Sequence, residues 1–256
     1  MSLPIWTPVA LWSERRAQES DCWRLVEAQH QISTLKLTDT LAEQQLLEEL
    51  LEETKPPLPP GARGLHYLMA APFRYGAAYP RGSRFRRAGR TLGVFYGAEQ
   101  PRTAAAEMAF YRLLFYAESP QTPWPENAGE FTAFNAPVRT DVALDLTNPP
   151  LDANRAKWTR LVDYEPCQAL AEAAREAGVT LIRYESVRDP MRCANLALLS
   201  AAPFVRTAPK AFETWRIKVG TFGAQVIREF PQERFEYSRH AFAPDPRIKN
   251  MIWHRN

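Results

Sequence analysis

The chain has 256 residues and a formal net charge of +3, with 45% hydrophobic and 24% charged residues, a globular composition that excludes a fibrous or intrinsically disordered protein. That length suits one large domain with an appendage. Cys22, Cys167 and Cys193 are far apart and form no Cys-x-x-Cys pair, so free thiols in a reducing cytoplasm are expected rather than disulfides or a zinc site. The first ten residues lack the basic start and apolar stretch of a signal peptide. The best apolar run, residues 195–205, is too short for a membrane span and is interrupted by Pro203, so the expectation is a soluble chain without membrane contact. Arg74, Arg81, Arg84, Arg86, Arg87 and Arg90 crowd one segment. By default that is a solvated surface, and otherwise it suits a polyanion, either nucleic acid or the pyrophosphate of a nucleotide.

In chain order, residues 21–31 read as a first helix, with Ser20 or Asp21 as N-cap and Trp23, Leu25, Val26 and Ala28 on its apolar face. Thr40 and Glu43 form a capping box for a second helix carrying Leu46, Leu47, Leu50 and Leu51. Core packing is the first role for that stripe, and docking to a partner protein or a second copy is the other. Pro56, Pro57, Pro59, Pro60 and Gly61 stop it and make a stiff connector, dividing a helical extension (residues 1–60) from the main domain (residues 61–256). Residues 65–71 and 91–96 read as strands, followed by a helix entered at Pro101 with an apolar stripe through Met108, Tyr111 and Phe115 facing the sheet. Residues 131–134 and 142–146 are further strands, separated by a turn over 135–141. A helix over 165–177 closes on Gly178, and a strand over 179–184 follows. Residues 212–219 and 225–230 flank Gly220 and Gly223 as a hairpin, and the chain from His240 reads as irregular. The class is α+β, with a mixed or antiparallel sheet core.

Common nucleotide, metalloprotease and serine-hydrolase motifs are absent, and His30, His66, His240 and His254 have no metal-ligand spacing. No metal is expected. Polar residues do stand at the ends of apolar elements. They occur in Phe73-Arg74-Tyr75, in Gly82-Ser83-Arg84-Phe85, and from Val94-Phe95-Tyr96 into Ala104-Ala105-Ala106-Glu107. Farther on come Tyr184-Glu185-Ser186-Val187-Arg188 and Asn195-Leu196-Ala197-Leu198. Glu107 lies among alanines, where another chain or a ligand can come close; read alone, it is a solvent-facing helix glutamate. Ser186, read alone, is a turn serine before Pro190.

In order and spacing, these segments over residues 65–222 resemble the RES domain, a family of bacterial toxins paired with Xre-type antitoxins. The resemblance implies a fold like that of diphtheria-toxin-type ADP-ribosyltransferases and consumption of NAD by hydrolysis, by phosphorolysis, or by transfer of ADP-ribose to a protein. It also implies Arg74, Glu107 and Ser186 as the catalytic set, with Tyr75, Arg84, Tyr96 and Asn195 as NAD contacts. The partners implied are NAD, inorganic phosphate and an Xre-type antitoxin, with homo-oligomerisation an open option. Where many family members carry Gly-Gly-Arg-Trp-Asn, this chain has Gly82-Ser83-Arg84-Phe85-Arg86. The arginine is kept and Phe85 preserves the packing, but Arg86 cannot reproduce an amide acceptor.

The chemistry suits these residue types. Breaking the nicotinamide–ribose bond builds positive charge on the sugar, which a carboxylate such as Glu107 stabilises. Arg74 and Arg84 offer planar forks for phosphate oxygens, Tyr75 and Tyr96 offer flat faces and hydroxyls, and Ser186 is a hydrogen-bonding positioner rather than a nucleophile. The leading expectation is an NAD glycohydrolase or phosphorylase acting as a toxin. The alternatives are a protein ADP-ribosyltransferase and, from the arginine cluster, a nucleic-acid-binding toxin.

Overall fold

The computed structural model describes residues 6–28, 37–74, 82–89 and 92–255. Their strands are β1 (Arg16–Ser20), β2 (Trp23–Glu27), β3 (Phe95–Ala98), β4 (Gly129–Asn135), β5 (Val138–Asp145), β6 (Leu181–Glu185), β7 (Ala194–Leu198), β8 (Ala211–Gly220), β9 (Gly223–Arg228) and β10 (Glu233–Ser238). The helices are α1 (Pro8–Ser13), α2 (Leu41–Thr54), α3 (Tyr67–Arg74), α4 (Pro101–Glu118), α5 (Arg155–Trp158), α6 (Glu165–Glu176) and α7 (Pro246–Lys249). All ten strands share one mixed sheet in the order β1-β5-β6-β7-β3-β2-β4-β8-β9-β10. Only β5 and β6 run parallel, and the long connection through α5 and α6 is the kind of crossover that parallel pairing requires. Among the described residues, no helix is long and apolar enough to cross a membrane.

Side chains alternate across β3 and β7, so Tyr96, Ala98, Asn195 and Ala197 share one face while Phe95, Leu196 and Leu198 take the other. The first face packs against α4 through Ala105, Ala106, Ala109, Phe110 and Leu113, and against α6 through Cys167, Leu170, Ala171 and Ala174. The second face packs against α3 through Met69, Ala70 and Phe73. A cavity opens on the first face.

Several expected elements stand where the sequence places them. Thr40 and Glu43 cap α2 reciprocally, Pro101 opens α4, and Gly178, at φ +72°, ends α6 in the left-handed conformation that glycine adopts without strain. The β8–β9 hairpin turns between Gly220 and Gly223. Strands β4 and β5 overlap the two expected apolar runs, although β5 begins earlier, at Val138, inside the expected turn.

Other elements differ. Residues 23–27, expected as helix, form β2, which is hydrogen-bonded to β3 on one side and β4 on the other. The N-terminal region is therefore not a helical extension, because β1 and β2 belong to the sheet. Helix propensity is a weak preference, and partners on both sides of Trp-Arg-Leu-Val override it. Conversely, residues 67–74 form α3 rather than a strand, burying Met69, Ala70 and Phe73 at helical spacing; a short apolar run does not distinguish the two states. Within the expected 91–96 strand, β3 begins only at Phe95. The stripe expected to pack α4 on the sheet is also displaced: Tyr111 and Phe115 are about half exposed. The alanines make the sheet contact instead, letting the helix backbone come close. The leucines of α2 find no core, and none of that helix's residues is buried. β1, β7 and β10 have no counterpart in the expected elements. β7 is buried at every position, so it lacks the alternation that marks a strand. Past His240, α7 is a single turn capped by Asp245.

Candidate functional site

A cavity of about 300 Å³ lies between α4 and the sheet. β2 contributes Trp23, Arg24 and Leu25 to its wall, the turn before β3 contributes Ser83 and Arg84, and α4 contributes Glu107 and Tyr111. Tyr164 at the N-cap of α6, Tyr184 on β6, Arg188 beyond it and Asn195 on β7 complete the ring. Gly97 makes the wall possible: a Cβ there would stand 2.4 Å from Cys22 Sγ and 3.0 Å from the Trp23 carbonyl oxygen, so any side chain would push β2 away.

Glu107, half-buried on α4, anchors the site. Its Oε1 accepts from Ser186 Oγ at 2.7 Å and from Asn195 Nδ2 at 2.7 Å. Both donors address the same oxygen, and Oε2 has no protein donor among the described residues. Ser186 is fully buried, and its Oγ also accepts from the backbone N–H of Asp189 at 3.0 Å and of Arg188 at 3.3 Å. A hydroxyl that gives its proton to a carboxylate and takes two N–H donors is a positioning group, with no base to make it a nucleophile. Thr103 in the first turn of α4 donates to buried Asp189 at 2.8 Å, tying the helix to the same loop.

Three arginines line the same cavity as this carboxylate. Arg188, 4% exposed, pairs with Asp245 at 2.6 Å and lies 3.9 Å from the Phe110 ring centroid. Burial opposes the charge on Asp245, but hydrogen bonds from Arg247 and the charge of Arg188 outweigh it and hold the carboxyl below its usual range. Arg84, 7% exposed, donates to the Trp158 carbonyl at 2.7 Å and sits 4.8 Å over Tyr164. Arg24 arrives where β2 and β3 pair at the single position Trp23–Ala98, and its Nη1 donates to the Tyr96 carbonyl at 3.0 Å. Neither Arg24 nor Arg84 has a carboxylate partner among the described residues. Burial lowers the pKa of Arg24, as it does for a cation without a counterion.

The structure thus brings together Glu107, Ser186, Asn195, Arg84 and Tyr96, and it does not bring Arg74 to them. Arg74 ends α3, outside the cavity wall, with its Nη1 on Glu52 Oε1 at 2.5 Å. Tyr75 lies outside the described residues. Tyr96 lines the cavity, but its hydroxyl contacts Ser83 Oγ at 2.8 Å and accepts from the Phe85 N–H at 3.0 Å, bracing the turn that presents Arg84. Burial pushes its pKa up to about 12. Phe85 keeps the expected packing role, 1% exposed and edge-on to Tyr184.

Among the described residues, several arginines of the cluster are buried or engaged rather than open to solvent. Arg84 is buried, Arg74 is paired, Arg87 bridges Glu165 and Glu172, and Arg81 and Arg90 lie outside the described residues. Sequence reasoning missed Arg24, Tyr164 and Tyr184. The period-2 pattern of Trp23 and Leu25 was the one signal for Arg24, and Tyr164 in a connection had none.

Comparison with known proteins agrees with the resemblance. The family model described as RES domain matches residues 58–220. No curated protein matches the chain. Among solved structures, a chain of the M. tuberculosis MbcT-MbcA toxin-antitoxin complex is similar at 14% identity with a TM-score of 0.45, covering 80% of this chain and 90% of that one.

Proposed function

Since the chain belongs to the RES domain family, we propose that it is a toxin that cleaves the nicotinamide–ribose bond of NAD in the cavity around Glu107. The observation that carries this reading is a carboxylate fixed through one oxygen by Ser186 and Asn195, in a cavity that also holds two cations, Arg24 and Arg84, without carboxylate partners among the described residues. A dinucleotide brings the complementary charges: a pyrophosphate for the guanidiniums, and a ribose that turns cationic as nicotinamide leaves.

In this mechanism Arg24 and Arg84 hold the pyrophosphate with planar N–H forks, and Arg24 takes the part expected of Arg74. The exposed Tyr111 and the half-buried Tyr164 offer flat faces to the bases. Glu107 Oε1 is occupied, so Oε2 is the atom that meets the ribose. Two donors on Oε1 fix the direction of the carboxylate before the substrate arrives. As the glycosidic bond stretches, the developing oxocarbenium ion gains a negative neighbour that needs no reorganisation.

The acceptor of ADP-ribose is water or inorganic phosphate in this reading, and transfer to a protein is the second outcome of the same chemistry. Family membership supports an Xre-type antitoxin as partner, a cytoplasmic setting and an ADP-ribosyltransferase-like fold. The nucleic-acid alternative is weakened because Arg74, Arg84 and Arg87 are engaged within the protein.

The test is nicotinamide release from NAD by the purified chain, with and without phosphate, beside Glu107→Ala. The variant should lose about 100-fold or more in kcat, as expected for a positioned carboxylate. A folded wild type that releases no nicotinamide overturns the proposal, and release that phosphate does not accelerate removes phosphorolysis.

A further inference from the structure

Two tyrosines of the cavity wall differ in what their hydroxyls do. Tyr96 spends its hydroxyl on Ser83 and the Phe85 N–H. Tyr184 is 7% exposed and lines the same cavity, yet its hydroxyl has no hydrogen-bond partner among the described residues. A phenol on a cavity wall whose hydroxyl is not engaged by the protein offers that hydroxyl to a ligand atom.

Its position narrows down which atom. Tyr184 stands two residues before Ser186 and directly opposite Asn195 in the β6–β7 ladder, and Ser186 and Asn195 are the two groups that hold Glu107. Asn195 gives its Nδ2 to the carboxylate, and its buried Oδ1 is without a partner. An unused donor and an unused acceptor thus belong to neighbouring residues of one rung, one of which holds the carboxylate. Edge contact with Phe85, at 4.8 Å between centroids, fixes the plane of the phenol. Burial, and then the charge of Glu107, raise the Tyr184 pKa well above that of an ordinary phenol, so the hydroxyl keeps its proton to donate. A vicinal diol matches this arrangement, since each sugar hydroxyl both accepts and donates.

We propose that Tyr184 is a further substrate-contacting residue, donating its hydroxyl to a ribose oxygen beside the scissile bond, while Tyr96 is a structural tyrosine. This rests on the NAD reading above. The test is Tyr184→Phe, which removes one oxygen and keeps the ring against Phe85. Three affinities are measured: KM for NAD, Kd for ADP-ribose by calorimetry, and inhibition by free nicotinamide. KM and the ADP-ribose Kd should rise about fivefold to tenfold, the effect of losing one hydrogen bond. Nicotinamide inhibition should stay as in the wild type. Tm should not fall, because the hydroxyl has no protein partner to lose.

Wild-type affinity for ADP-ribose in Tyr184→Phe, beside an active wild type, overturns this assignment alone. So does a fall in Tm large enough to account for the lost affinity. A wild type that neither binds ADP-ribose nor releases nicotinamide removes the NAD reading and this assignment with it.

Discussion

β2 and α2 are both N-terminal to residue 58, where the family match begins, and they relate to the rest of the molecule in opposite ways. α2 carries the clearer local signals, a reciprocal capping box and leucines at helical spacing, yet it buries no residue. Its described tie to the body is Glu52 against Arg74. β2 is five residues with no cap and only a short period-2 pattern, yet it sits inside the sheet and contributes Trp23, Arg24 and Leu25 to the cavity. Local signals determine whether an element forms, and long-range partners determine whether it matters to the core and the site.

The comparison is most sharply tested at Gly97. Gly97→Val forces β2 off β3 and should destabilise the fold by about 3 kcal/mol or more, as overpacking beside backbone does, read from the midpoint of urea unfolding. A wild-type midpoint would mean that β2 is loosely held. Next comes Arg24→Ala, where kcat/KM for NAD should fall about 10-fold to 100-fold, in line with loss of charge-assisted bonds to phosphate. Arg74→Ala should do much less, since Arg74 lies outside the cavity. Equal losses in the two would return the pyrophosphate role to Arg74. The smallest effect is expected on α2: Leu50→Ser, at a side chain 51% exposed, should change stability by less than about 0.5 kcal/mol. A larger loss in the isolated protein would show that the leucine face is covered in solution.

These regions also show what sequence alone can carry. α4, α6 and the β8–β9 hairpin were legible because proline, glycine and composition mark their ends. Glu107, Ser186 and Asn195 were legible through family resemblance, and the structure gathers them on one carboxylate oxygen. Arg24 was not, since a single arginine in a five-residue strand is given meaning only by β3, β4 and the cavity. Tyr111 was read as a core residue because helical spacing shows that a stripe exists without saying which face meets the sheet. Arg74 was misplaced for a related reason: with residues 65–71 read as a strand, it looked like a strand-end residue instead of the last residue of a helix on the opposite face.

Asp245 has a consequence for when the site becomes complete. It stands beyond the family match and supplies the carboxylate for Arg188. A ribosome releases Arg24, Glu107 and Ser186 long before it releases Asp245. Until then Arg188 would be a buried cation with no counterion, an arrangement that proteins avoid by staying open or hydrated. A chain made only as far as Ser186 therefore holds Glu107 without a settled pocket, and the site can close only once Asp245 has also been made.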